Sequence, residues 1–343
     1  MIRARLRIEG VAWAVAVLAG LAVLGGLVWM PHAVYRPWLG ACAAWLGWPL
    51  GSMALMLAHA LTGGRWGEIL RPALRAGVAT LPLGLPALAV LLAGAGDLYP
   101  WLHGEGAAHA ANRFYLNPPF ALLRIALYAG IWGTLGVLCL RGRGLARIAP
   151  VGLILLALTF SFASIDLTES LDPRFNSSAY GLIASAGAGL LALALAMLLV
   201  GARRPDREAL RGLARLLLGL TVLWAYLDFM QFLIIWQSNL PVEAAWYGRR
   251  LHGGWGGVAV AIVLLHFLLP FALLMLAPLQ VRRPVVLGAA SLLVAMEVVR
   301  NLWLVLPGQA SVSVLLTLAS LLLFGGAGVA LCIRAMQGEV IHG

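Results

Sequence analysis

The chain contains no lysine; all 24 of its basic residues are arginine. An arginine-only set points to a GC-rich coding bias more than to a phosphate-binding design, and it argues against nucleic acid as the partner behind the net charge of +11. Charge of either sign is scarce, at 11% of 343 residues. The three cysteines, Cys42, Cys139 and Cys332, stand singly within apolar stretches. No CxxC, CxxCH or cluster spacing exists, so any thiolate-held electron carrier belongs to a partner and not to this chain. The Gly63-Gly64 pair is not followed by a phosphate-loop pattern, and neither a Ser/His/Asp constellation nor a zinc motif is evident.

Apolar residues fill the space that charge leaves. They make up 62% of the sequence, and the mean hydropathy is +0.94. Ten apolar runs fall at 10–30, 38–62, 74–94, 119–140, 147–165, 178–201, 212–237, 254–278, 284–306 and 311–334. About 20 apolar residues cross a bilayer core, and lipid leaves each run only its own backbone as hydrogen-bond partner. The expected fold class is all-α: a polytopic membrane protein of ten transmembrane helices forming one integral domain over 1–343.

Arginine marks alternate ends of these runs. Arg3, Arg5, Arg7, Arg65, Arg71, Arg75, Arg141, Arg143, Arg147, Arg203, Arg204, Arg207, Arg211, Arg215, Arg282, Arg283 and Arg334 fall on one side. The other side holds Arg36, Arg113, Arg174, Arg249 and Arg250, with the acids Asp97, Glu105, Asp166, Glu169, Asp172 and Glu243. The positive-inside rule then puts both termini in the cytoplasm. The first run follows three arginines but lacks a convincing cleavage site, and reads as a retained anchor. The longest outer connection, 95–118, carries His103 and His109 among aromatics, Gly and Pro.

Ionisable residues inside the runs cost roughly 2.5–3.5 kcal/mol each on insertion scales, so they ask for a reason. Asp228 and Gln231 share a face of the seventh run, and Glu297 reaches Arg300 and Asn301 one turn on in the ninth. His266 lies mid-way in the eighth, His59 near the inner end of the second, and Arg124 near the outer end of the fourth. Asp166, Glu169 and Asp172 close the fifth. Ordered by depth, His59, His266 with Glu297, Asp228 and then the 166–172 acids outline a proton route; Arg300 accompanies it. The structural alternative is that each is a helix-bridging or neutralised group. Haem ligation needs facing histidines at matched depth; His59 and His266 are offset, so haem is not expected here.

Several stretches resemble the NrfD-like (polysulfide reductase membrane subunit) superfamily, and most closely the smaller such subunit of bacterial alternative complex III, a quinol:electron-acceptor oxidoreductase. They are HALTGGRWG at 59–67, FYLNPPFALLRIALYAGIWG at 114–133, SFASIDLTESLDPRFNSSAYG at 161–181, LLLGLTVLWAYLDFMQFLIIWQSNLPVEAAWYGRR at 216–250, HFLLPFALL at 266–274 and NLWLVLP at 301–307.

The resemblance implies two four-helix bundles, helices two to five (38–165) and six to nine (178–306), flanked by helices one and ten. It implies a bacterial inner-membrane subunit of a respiratory quinol:cytochrome c oxidoreductase, not catalytic alone, that supports assembly and proton translocation. The implied partners are a larger NrfD-like subunit with the quinol site, an iron–sulfur protein, multihaem and monohaem c-type cytochromes, small membrane subunits, a haem–copper oxidase and lipids. Haems and iron–sulfur clusters would sit on those partners, with no cofactor bound by this chain. Departures exist: Ile165-Asp166-Leu167 and Glu169-Ser170-Leu171-Asp172-Pro173 replace the family's Phe-Asp-Trp and Met-Ser-Leu-Asp-Pro, and helix seven carries Asp228 and Met230 where small residues are usual. The alternatives are a quinol-binding anchor, with quinone in a pocket of Arg124, Asp166 and Glu169, and a stand-alone transporter, which no evident repeat of short broken helices supports.

Overall fold

The computed structural model describes residues 2–103, 114–201, 205–308 and 312–342. Glu105, His109, Arg113, Arg203 and Arg204, and the side chains of Arg3 and Arg5, lie outside the described residues. The described residues are mainly helical and contain no strand, and ten of their helical segments are long and apolar enough to cross a membrane. This is the architecture of a multi-pass membrane protein. The segments are α1 (Ile2–Trp29), α2 (Pro31–Thr62), α3 (Arg65–Ala93), α4 (Pro118–Arg141), α5 (Leu145–Leu167), α6 (Tyr180–Val200), α7 (Arg207–Ser238), α8 (Gly254–Met275), α9 (Arg283–Val305) and α10 (Val314–His342).

Hydropathy placed the apolar centres but not the polar ends. α2 begins at Pro31, seven residues before the apolar run, because proline suits the first helical turn. Arg36 is therefore helical and not in a loop. α7 begins at Arg207, where the Asp206 carboxylate accepts the Ala209 amide at 2.8 Å. That amide bond and the Arg65 guanidinium hold the Asp206 carboxyl below the usual carboxylate range. Arg65 pairs with Asp206 and so joins α3 to α7 at the arginine-rich end.

Two of the segments are not continuous α-helices. α3 stops at Val78, passes through a 3-10 turn at Leu81–Leu83 and resumes at Gly84. Pro82 supplies no amide and clashes with the carbonyl four residues back, which ends the first helix. α8 widens into a π-helix at Ile262–Leu268, where the Leu269 amide bonds to the Leu264 carbonyl five residues back. Pro270 explains the widening: in α geometry its ring would meet the carbonyl of His266.

The helices gather around α2 and α6. α2 touches α1, α3, α4, α5, α6, α9 and α10; α6 touches α2, α3, α5, α7 and α9. In its apolar window α2 is 83% buried, against 22% for α7 and α8, so α2 is the axis and those two are peripheral. The crossing of α2 and α6 is made by small residues. A Cβ on Gly51 would lie 2.0 Å from the Ala188 carbonyl oxygen and 2.9 Å from the Ala192 methyl. Gly47, one turn away, lies 3.4 Å by the same measure from the Ala188 Cα. Lipid gives helices no hydrophobic reason to associate, so backbone-to-backbone packing of this GxxxG kind supplies the attraction. α1 and α10 make a second close pair, with Gly326 set against the Ala12 carbonyl.

Gly51→Ala is expected to cost about 1–3 kcal/mol through overpacking, lowering the unfolding midpoint in detergent. Gly130→Ala in α4, where an added methyl meets nothing within 4 Å, is the matched control and leaves the midpoint unchanged or slightly higher.

Candidate functional site

The deepest polar cluster joins α7, α8 and α9. The Arg300 guanidinium donates to Asp228 Oδ1 at 2.9 Å and lies 3.8 Å from Glu297 Oε1. Glu297 Oε1 also accepts from Asn301 Nδ2 at 3.2 Å. His266 Nε2 stands 3.4 Å from Glu297 Oε2. The imidazole lies on Trp224, with ring centroids 4.0 Å apart, and the same indole is 5.3 Å from the Arg300 guanidinium carbon. His266, Glu297 and Arg300 are buried; Asp228 keeps about a third of its side chain exposed. Neither ring nitrogen of His266 makes a hydrogen bond, and neither does Glu297 Oε2.

Charge counting gives this cluster its chemistry. One guanidinium faces two carboxylates, so with His266 neutral the group is one positive charge short. Uncompensated charge is costly in so dry a place. One proton resting on Glu297 or His266 makes the cluster neutral. Glu297 Oε2 and His266 Nε2 are the two adjacent positions at which that proton could rest.

A further polar group lies toward the arginine-poor end. Gln231, one turn beyond Asp228, accepts from the Ser177 hydroxyl and donates to the Tyr247 hydroxyl at 3.2 Å. The Ser177 amide donates to Glu169 Oε1 at 2.6 Å, while Glu169 Oε2 is buried without a partner. Burial raises the Tyr247 phenol above its ordinary value, with Asp228 adding to the effect. At the helix end, Arg250 donates to the Leu304 carbonyl at 2.6 Å and Arg36 to the Pro307 carbonyl at 3.4 Å. Both cations satisfy carbonyls at the C-terminus of α9, where its dipole is negative. Burial pushes Arg250 down to about 10, and its guanidinium carbon sits 3.6 Å from the Trp246 ring.

The remaining sequence-chosen residues go elsewhere. Asp166 is gripped by Arg124 at 2.8 and 2.9 Å in a two-pronged pair, and by the Tyr128 hydroxyl at 2.8 Å. Arg124 also donates to the Tyr115 carbonyl at 2.7 Å and lies 3.8 Å from the Tyr115 ring centre. This second cluster ties α4 to α5. Asp172 pairs with Arg249 at the surface. His59 sits at the other end of the molecule, bonded through Nε2 to the Gly64 carbonyl at 3.0 Å. Between the deep cluster and that end, α6, α8 and α9 carry no ionisable side chain. Of the residues ordered by depth, the structure brings His266, Glu297 and Asp228 together around Arg300, while His59 stands apart, Asp166 belongs to a separate pair and Asp172 is held by Arg249.

A cavity of about 40 Å³ opens beside the deep cluster, lined by Glu297, Arg300 and Asn301 of α9, Ser164 of α5 and Thr168 just past its end, and Tyr180 of α6. That is room for two or three waters at about 15 Å³ each. Gly187 was not legible as a site residue. A Cβ there would lie 2.5 Å from Glu297 Oε1, so the carboxylate rests on the bare backbone of α6. Among the described residues no three His, Cys, Asp or Glu side chains converge as a metal site requires. No protein-family model matches the chain, and no curated protein matches it.

Arg300→Leu leaves two carboxylates facing each other and is expected to cost about 3–5 kcal/mol. Adding Asp228→Leu recovers part of that loss. Unfolding midpoints of both single variants and the double variant in detergent measure the coupling, and simple additivity would show the pair to be energetically independent.

Proposed function

We propose that the chain is the smaller NrfD-like membrane subunit of an alternative-complex-III-type quinol:electron-acceptor oxidoreductase in a bacterial cytoplasmic membrane. Its part is to hold the complex together and to carry a proton station in its second helix bundle. Electron carriers belong to the partners: an iron–sulfur protein, c-type cytochromes and the larger homologous subunit with the quinol site. The carrying observation is the buried His266–Glu297–Arg300–Asp228 cluster, neutral only with one proton and continued outward by Gln231, Ser177, Tyr247 and Glu169.

The packing pattern supports the two-bundle arrangement. Helices two to five contact one another around α2, helices six to nine do so around α6 and α9, and α1 and α10 lie to one side. The arginine distribution supports cytoplasmic termini. A quinone pocket of Arg124, Asp166 and Glu169 has less support: Asp166 is occupied by Arg124 and Tyr128, and Glu169 faces Ser177 instead.

Purification in mild detergent, with mass spectrometry of co-eluting chains and a reduced-minus-oxidised haem spectrum, tests the assignment. Co-elution of c-type cytochromes, an iron–sulfur protein and a larger homologous membrane subunit is expected; a lone colourless protein overturns it. In the complex reconstituted into vesicles, Glu297→Gln and Asp228→Asn are each expected to lower proton movement severalfold while quinol oxidation persists. Asp166→Asn is expected to weaken the α4–α5 contact and lower the unfolding midpoint. Unchanged proton release in both cluster variants would remove the proton station from the proposal.

A further inference from the structure

We propose that the arginine-rich end of the molecule holds a phosphate-bearing anion, either the headgroup of an anionic phospholipid or a soluble phosphate, between α2, α3 and the start of α5. A cavity of about 350 Å³ lies there, lined by His59, Gly67, Arg71, Gly142 and Gly144 over an apolar floor that includes Met56 and Leu74. It falls in the lower part of the size range of small-ligand sites. It is separate from the deep cluster, and the inference does not depend on the proposed respiratory role.

The walls are shaped to leave a cation facing open space. Arg71 makes no hydrogen bond or ion pair with any described residue, although its neighbours are engaged: Arg65 with Asp206 and Arg75 with the Leu140 carbonyl. Its guanidinium hangs over the turn between α4 and α5, where a Cβ on Gly142 would come within 3.1 Å of it. Gly142 and Gly144 both adopt left-handed backbone, with φ of 69° and 67°, so glycine is favoured at each and no side chain fills the mouth. Leu145 and Ala146, in the first turn of α5, form the adjoining wall, and no side chain caps that end of the helix. The positive end of the helix dipole adds to the cation's pull on an anion.

His59 completes the wall. Its ring lies directly on Gly67, where a Cβ would stand 2.0 Å from Cδ2, and edge-on to Trp66 at 5.3 Å. The bond to Gly64 then fixes its tilt. The local balance of charge points the same way: Arg65, Arg71, Arg75, Arg141, Arg143 and Arg147 are accompanied in these two stretches by Glu68 alone. A basic pocket at the end of a helix bundle, with an apolar floor, is the form in which membrane proteins take anionic headgroups.

The test uses the full chain in mild detergent. In one arm, native mass spectrometry compares retention of phosphatidylglycerol and phosphatidylcholine with the same acyl chains. In the other, inorganic phosphate is titrated without lipid and the unfolding midpoint is followed. Arg71→Gln is expected to weaken anion retention by about tenfold, the loss of one charge-assisted bond. Arg143→Gln, outside the cavity wall, is the control and stays within about twofold of the parent. Arg71-dependent preference for phosphatidylglycerol assigns the lipid headgroup. Arg71-dependent stabilisation by phosphate, without lipid preference, assigns the soluble anion. Indifference of both arms to Arg71→Gln overturns the site.

Discussion

The seat of the deep polar cluster depends on how closely α2 and α6 approach. Gly51 sits against the Ala188 carbonyl so tightly that no side chain fits between the two backbones. In water a crossing could be held by burying large apolar groups. In lipid that drive is missing, and dispersion between closely approaching small residues takes its place. α5 and α9 each pack against both α2 and α6 along this seam. Gly47 and Ala188 of the crossing also line the small cavity beside Glu297 and Arg300. Gly187, next to Ala188, gives the Glu297 carboxylate its seat. One turn of α6 thus does two things: it packs against α2 and leaves room for a charged group on α9.

The two buried ion clusters differ in what they are able to do. Arg124 and Asp166 form a matched, two-pronged pair with a tyrosine added, and no atom of the carboxylate wants for a donor. Such a pair is neutral without any further proton and acts as a clamp between α4 and α5. The cluster on α7, α8 and α9 has an odd charge count, two partnerless imidazole nitrogens and a partnerless carboxylate oxygen. It is the less well satisfied of the two. Both clusters contain an arginine and an aspartate; the surrounding groups decide whether every polar atom finds a partner.

Ten membrane segments were readable because lipid imposes a length and a polarity on each, and local composition is enough to detect both. The Glu297, Arg300 and Asn301 contacts were readable too, because helical spacing alone places them on one face. Partner choice across helices was not. Asp166 could have met Glu169 or Arg124, and nothing within 161–173 distinguishes them; the rotation of α4 does. His59 was ranked by depth alone, while its actual surroundings follow from Gly67 and the Gly63-Gly64 turn. Some signals were present and unused: Gly47 and Gly51 at GxxxG spacing, Pro82 within an apolar run, and Pro270 four residues after a membrane histidine.

That last spacing connects backbone to chemistry. A proline cannot sit in a regular helix without displacing the carbonyl four residues before it, and here that residue is His266. The chain answers by widening a turn, which shifts the angular position of every side chain between Ile262 and Leu268 relative to a plain α-helix. His266 is the one ionisable group in that stretch. Its ring is turned onto Trp224 and toward Glu297 Oε2, and away from any hydrogen-bonding partner that would fix its protonation. A regular α8 would have given up the widened turn and, with it, this alignment. The irregularity is tolerated because the widened turn still bonds the Leu269 amide to the Leu264 carbonyl, where unsatisfied backbone in lipid would cost several kcal/mol per group.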